Sequence, residues 1–170
     1  MSVIETPRLL LGRLSADDAP FILQLVNEPS WLQFIGDKGI RTLDAARDYI
    51  VQGPMEMYAR LGFGLWLVQL KSNTVPIGLC GLVKRDSLND VDIGFAFLPQ
   101  YWHQGYALES AAATLSFGQS AYGLSRILAI VSPGNVRSDR LLGKLGFHFE
   151  RMVRLAPDDP EIKLYVWGSP

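Results

Sequence analysis

The chain has 170 residues, 48% of them hydrophobic and 19% charged, with a formal net charge of −1. That length and composition predict a single globular domain over residues 1–170 with a proper core, and exclude a disordered chain. The balanced charge argues against a nucleic-acid partner held by a strong positive field, and no apolar stretch approaches a membrane span, so no membrane partner is expected.

The one cysteine, Cys80, lies inside an apolar run, which precludes an intrachain disulfide and points to a reducing compartment. Residues 1–14 lack a long apolar core and include Glu5 and Arg8, unlike a signal peptide, so the expected location is cytoplasmic. The first element is a strand-like run, Thr6 to Leu14. Ser15 then reads as the N-cap of a helix with Asp17 and Asp18 in its first turn, carrying Phe21, Ile22, Leu25 and Val26 and stopping near Pro29. From Trp31 to Ile40 the chain reads as irregular, with loops at Gly36 and Gly39. Thr42 caps a helical stretch reaching Arg60, which Gly53-Pro54 should divide into two pieces. Alternating runs at 63–70, 77–83 and 91–98, joined by short polar turns, predict an antiparallel three-stranded meander.

Between Asp92 and Phe117 the hydrophobic period changes from two to 3.6. Phe95 and Phe97 alternate along a strand predicted to be buried on both faces and stopped by Pro99, while Leu108, Ala111, Ala112 and Leu115 fall at helical spacing. The junction holds Gly105 and no carboxylate before Glu109, so backbone N–H groups near 103–108 are left at the positive end of a helix dipole. Such a place suits phosphate, although an ordinary strand-turn-helix corner reads the same way. Residues 126–132 form a buried strand that a crossover helix should set parallel to its predecessor. Asn135 caps the next helix, which buries Leu141, Leu142 and Leu145 and ends at Gly146, and strands at 147–155 and 162–167 close the chain.

The run Trp102-His103-Gln104-Gly105-Tyr106-Ala107 resembles the acyl-coenzyme-A signature of the GNAT superfamily of N-acetyltransferases, Q/R-x-x-G-x-G/A, and in particular its Rim-type branch, which acetylates ribosomal-protein N-termini. Two positions depart from it: Trp102 replaces Gln or Arg, and His103 stands where the branch usually has Gly. The Thr-x-Arg-Leu-x-Leu run from Thr6, with Asp17-Asp18 at a helix start, is similar to the branch's N-terminus, and Asn135 to Ser138 ending in Leu145-Gly146-Phe147 resembles a second GNAT signature. The resemblance implies an α/β (α+β) fold: a mixed, mostly antiparallel sheet of about six to seven strands, a central parallel pair splayed into a V-shaped cleft, and helices on both faces.

It further implies acetyl-coenzyme A as cosubstrate, a primary amine as acceptor, and direct attack in a ternary complex. Ala96, Phe97, Leu98, His103, Gln104, Gly105, Tyr106, Ala107, Leu108 and Asn135 are then the expected cofactor-binding residues. Many relatives carry a proton-donating tyrosine seven residues after the Asn, where this chain has Leu142; the Rim-type branch has a serine three residues after it, and Ser138 matches. Asp92 is the candidate base, acting through water, and Glu109 is expected to be structural. Trp31, Phe34, Asp37 and Tyr49 are expected to wall the acceptor pocket, with Asp37, Asp44, Asp48 and Asp92 favouring a cation. A coenzyme-A-binding regulatory module without turnover is the alternative. Arg137, Arg140 and Lys144 fit the coenzyme's phosphates as well as they fit a nucleic acid. No metal is expected, since Cys80, His103 and His148 give too few soft ligands, and the chain is read as a monomer or homodimer.

Overall fold

The computed structural model describes residues 2–169. Eight strands form one sheet: β1 (Ser2–Glu5), β2 (Leu9–Arg13), β3 (Leu65–Leu70), β4 (Pro76–Val83), β5 (Asp92–Phe97), β6 (Arg126–Val131), β7 (His148–Val153) and β8 (Ile162–Gly168), in the order β1-β2-β3-β4-β5-β6-β8-β7. All neighbours are antiparallel except β5 and β6. One strand more is present than expected, because Ser2–Glu5 pairs back onto β2 around Pro7.

The helices are α1 (Ala19–Val26), α2 (Pro29–Phe34), α3 (Leu43–Ile50), α4 (Glu56–Leu61), α5 (Tyr106–Tyr122) and α6 (Val136–Leu145). Ser15 and Asp18 form a reciprocal capping box on a 3-10 turn that leads into α1. The segment expected to be irregular contains α2, whose Pro29 sits in the first turn, where a missing N–H costs nothing. Gly53 and Pro54 do interrupt the next helix, but the chain stays helical through a π turn, Val51–Met55, between α3 and α4. The wider turn accommodates a residue that has no N–H to give.

Two apolar layers cover the sheet. On one face α5 and α6 pack with Trp66, Cys80, Ile93, Phe97, Ala111, Leu115, Ile127 and Leu142. On the other, α1 and α3 pack with Leu67, Leu79 and Leu98. Each fully buried Leu or Ile contributes about 1.5–3 kcal/mol, so both layers hold the central strands firmly. The strand expected to be buried on both faces is not: Gly94, Phe95 and Ala96 are only half-buried. The reason is that β5 and β6 pair at one position, Asp92 with Leu128, and then separate.

Candidate active site

The separation leaves a cleft of about 1060 Å³ between β5, β6, α2, α3 and the N-termini of α5 and α6. That is ample for an extended arm together with a second molecule. Which backbone groups face it follows from hydrogen-bond parity. Val91 C=O accepts from Leu128 N–H at 2.9 Å, so odd-numbered residues of β5 turn toward β6; Leu98 N–H donates to Ile77 C=O at 3.0 Å, so even-numbered ones turn toward β4. Phe95 and Phe97 therefore present N–H and C=O to the cleft. The Phe97 carbonyl is taken by Trp102 Nε1 at 3.0 Å, which leaves the Phe97 amide and both groups of Phe95 open.

Beyond β5 the chain turns through His103 and Gly105, both left-handed with φ of 61° and 81°. Left-handed residues alternating with ordinary ones make the concave amide nests that hold anions. Gly105 is also the N-cap of α5 and offers no side chain, so the first amides of this 17-residue helix have no capping acceptor. Glu109, one turn on, is drawn away to Thr6 and Arg8 rather than back over the helix start. Burial pushes its pKa up, but the hydrogen bonds and charge of these two residues hold it below the usual value.

Ser138 lies in the first turn of α6 on the cleft wall, and its hydroxyl donates to no group among the described residues. Asn135 caps α6 by accepting from Ser138 N–H at 3.3 Å. Asp139 fixes the helix to β8, accepting from Tyr165 Oη at 2.7 Å and Lys163 Nζ at 2.9 Å. Arg137 stacks on the Trp102 ring, and Arg140 and Lys144 reach the same wall.

On the opposite side, Asp92 is fully buried, and Arg85 grips both its oxygens, Nε to Oδ2 at 2.8 Å and Nη2 to Oδ1 at 3.2 Å. Burial raises the Asp92 pKa despite the attraction of Arg85 and Lys84. Tyr49 is raised by burial too, with Arg85 opposing the shift. Trp31, Phe34, Gly53 and Pro54 complete this wall, and Ser132 Oγ donates to Phe34 C=O at 2.6 Å, tying the end of α2 to the end of β6.

Residues 8–148 match the acetyltransferase (GNAT) domain family. The chain belongs to that family. Over 153 residues it is 29% identical to the uncharacterized N-acetyltransferase YoaA of Bacillus subtilis (strain 168), covering 89% of this chain and 86% of the relative. Among solved structures it resembles an acetyltransferase from Agrobacterium tumefaciens (TM-score 0.81, 22% identity, 98% and 94% of the two chains). It also resembles RimL, a ribosomal-protein alpha-N-acetyltransferase in complex with coenzyme A (TM-score 0.82, 18% identity, 99% and 98%). The splayed parallel pair is thus the cleft of a GNAT domain.

Of the residues expected to hold the cofactor, the GNAT cleft is lined by Ala96, Phe97, His103, Gly105, Tyr106, Ala107, Leu108 and Asn135. Ala96 enters with its side chain alone, because its backbone parity is that of β4. Leu98 does not enter: its amide is spent on Ile77 and its side chain is buried under α1 and α3. Gln104 sits on the outer side of the loop, its Nε2 donating to Gln100 C=O and its carbonyl accepting from Arg8. Trp31, Phe34 and Tyr49, expected to wall the acceptor pocket, do line the cleft, but Asp37 does not; it is exposed and pairs with Arg41 at 2.7 Å. Asp44 is likewise solvated and paired with Arg47, so of the four acidic residues only Asp92 lies on the cleft wall. Tyr58 is buried in the core, donating to Leu65 C=O and accepting from Leu14 N–H.

Sequence reasoning missed three groups. Arg85 carried no motif, only a place in a polar turn before β5. Trp102 was read as a departure from a signature, whereas it bonds the last residue of β5 and carries Arg137 on its face. Thr6 and Arg8 were seen as part of a motif, but nothing in the spacing placed them against a loop about a hundred residues later.

Proposed function

We propose that this GNAT domain, residues 1–170, transfers an acetyl group from acetyl-coenzyme A to a primary amine, with both molecules held in the cleft. The observation that carries the reading is the line of open backbone groups running from Phe95 and Phe97 to the uncapped N-terminus of α5. An extended amide-containing arm suits the first part of that line, and a pyrophosphate suits the second. Arg140 and Lys144 supply cations to outer phosphates, and Arg137 is held in place by Trp102.

Acetyl-coenzyme A supplies the acetyl group as a thioester. The chain's part is to orient, polarise and move protons. The open amides of Phe95 and Phe97 fix the arm and lie where a donor can polarise a carbonyl. Ser138 Oγ relays a proton to the departing sulfur, replacing it with the one the attacking nitrogen sheds as the tetrahedral adduct collapses, so that the hydroxyl is restored. Asp92 takes the proton of the incoming ammonium through a water, and its raised pKa moves it toward the range of a useful base. Positioning contributes much of the acceleration, on the order of 7–11 kcal/mol for well-oriented partners.

The acceptor wall narrows the amine. Away from α6 the cleft lining carries Glu28, Asp92 and Asp159 together with Lys38, Lys84 and Arg85, and Asp92 is already neutralised by Arg85. A polycation would meet no net negative charge there. A singly charged amine, such as a protein N-terminus or a small amine flanked by apolar groups, suits Trp31, Phe34 and Tyr49 better. The RimL likeness is consistent with an N-terminus, and a free buried thiol at Cys80 fits a cytoplasmic protein.

The test has two arms. Acetyl-coenzyme A at about 100 times its dissociation constant should stabilise the fold by roughly 2.7 kcal/mol, raising the unfolding midpoint by several degrees. Free thiol should then appear only when an amine is added. No shift at millimolar cofactor defeats the reading. A shift without thiol release across peptides with free N-termini and small amines identifies a binding module in place of an enzyme.

A further inference from the structure

The N-terminal Thr-x-Arg-Leu run has no role in the chemistry above, yet it makes the densest set of polar contacts near the cleft. Glu109 Oε2 accepts from Thr6 Oγ1 at 2.6 Å and from Arg8 N–H at 3.1 Å, while Oε1 accepts from Arg8 Nε at 2.8 Å. Arg8 Nη1 reaches on to Gln104 C=O at 2.8 Å, and the guanidinium lies 4.4 Å from the centre of the Tyr106 ring. Its Nη2 is 3.2 Å from where a Cβ on Gly105 would be. One arginine thus contacts Gln104 and Tyr106 and fills the space behind Gly105. It is itself anchored, because Arg8 C=O accepts from Lys71 N–H at 2.8 Å, and across the β1–β2 corner Thr6 N–H donates to Leu9 C=O while Leu9 N–H donates to Thr6 Oγ1.

Neither Arg8 nor Glu109 lines the cleft. The loop they grip has weak means of holding its own shape: His103 adopts a backbone conformation that L-residues avoid, and Gly105 loses more freedom on ordering than any other residue. Resting on the coenzyme A reading above, we infer that Arg8 and Glu109 are positioning residues that keep loop 103–106 in its anion-binding shape and so set affinity for the phosphate end of the cofactor. The N-terminal hairpin is then a strap on the pyrophosphate loop. Preorganisation of this kind raises affinity without adding a contact.

The test compares two ligands that share the pantetheine arm. Coenzyme A carries the pyrophosphate and S-acetylpantetheine does not. For Arg8→Met and for the milder Glu109→Gln, coenzyme A affinity measured by calorimetry should fall, on the order of 10- to 100-fold for Arg8→Met. S-acetylpantetheine, followed by thermal shift, should bind the variants and the wild type within about twofold, since its subsite on β5 is untouched. Unchanged coenzyme A affinity in Arg8→Met, or equal losses for both ligands, overturns the inference. Failure of the wild type to bind coenzyme A overturns the functional reading, and the strap with it.

Discussion

Where β5 runs toward α5, the cleft wall is backbone: the open groups of Phe95 and Phe97, a turn through two left-handed residues, and the uncapped amides of a helix. Across from it, between the start of β5 and helices α2 and α3, the wall is side chain: Trp31, Phe34, Tyr49 and the Arg85–Asp92 pair. The two walls constrain sequence differently. A backbone wall requires residues that permit a geometry, so it concentrates its demands on one glycine and tolerates Trp102 and His103 nearby. A side-chain wall is assembled from separate elements, has no spacing of its own, and can change its ligand without changing the fold.

The sharpest way to break this contrast is Gly105→Val. A Cβ there lies 3.2 Å from Arg8 Nη2, at a φ of 81° that a β-branched residue resists. The strain costs roughly 1–3 kcal/mol. The larger effect falls on the ligand: stabilisation by acetyl-coenzyme A should disappear in thermal unfolding, whereas a bulky change at Phe34 should leave it intact. Ser138→Ala comes next. It removes one hydroxyl from the wall and keeps the Asn135 cap, which uses the Ser138 amide. Turnover should fall by about 100-fold or more, with coenzyme A affinity unchanged. An equal loss in both would make Ser138 a binding residue.

On the side-chain wall, Asp92→Asn separates chemistry from stability. Turnover should drop by about 100-fold or more if Asp92 is the base. The fold should lose less than about 1.5 kcal/mol near neutral pH, because Asn keeps one acceptor for Arg85 and ends the cost of burying a charge. The pH dependence follows from the direction of the shift. A carboxyl whose folded pKa is raised contributes stability that is fully present below its unfolded value, near 3.9, and is lost as pH rises through the folded value. Urea midpoints measured from pH 3 to 8 should therefore show the wild type declining relative to Asp92→Asn over that window. Parallel profiles would mean that Arg85 fully compensates the burial.

This contrast also explains what the sequence alone could reveal. The meander, the parallel crossover, the cap at Asn135 and the glycine corner were legible because each rests on local period or on a residue with special backbone freedom. Strand β1 was missed because four residues before a proline carry too short a pattern, and α2 because its aromatic residues and the glycines that follow resemble a loop. Ala96 was expected in the cofactor line and Phe95 was not, since the two-residue parity of β5 is set by β4 and is invisible until the strands pair. Asp37 was expected on the acceptor wall through its charge, yet Arg41 four residues later holds it in solvent. Arg8 met Glu109 only through the fold.

His103→Gly is the mildest probe and tests whether the backbone wall is strained as built. His103 is exposed and left-handed with φ of 61°, a region where His is more tolerated than most residues but still costs about 1 kcal/mol. Glycine removes that cost and adds about 0.5–1 kcal/mol of backbone entropy to the unfolded chain. The two nearly cancel, so the unfolding midpoint should move by no more than about 2–4 °C. Affinity for coenzyme A should be retained, because the amide at 103 remains and Arg8 still grips the loop at Gln104 and Tyr106. Should affinity rise well beyond twofold, the histidine side chain obstructs the phosphate and the loop is tuned for a weaker grip. Should it fall sharply, the imidazole itself contacts the ligand, and this part of the backbone wall is side chain after all.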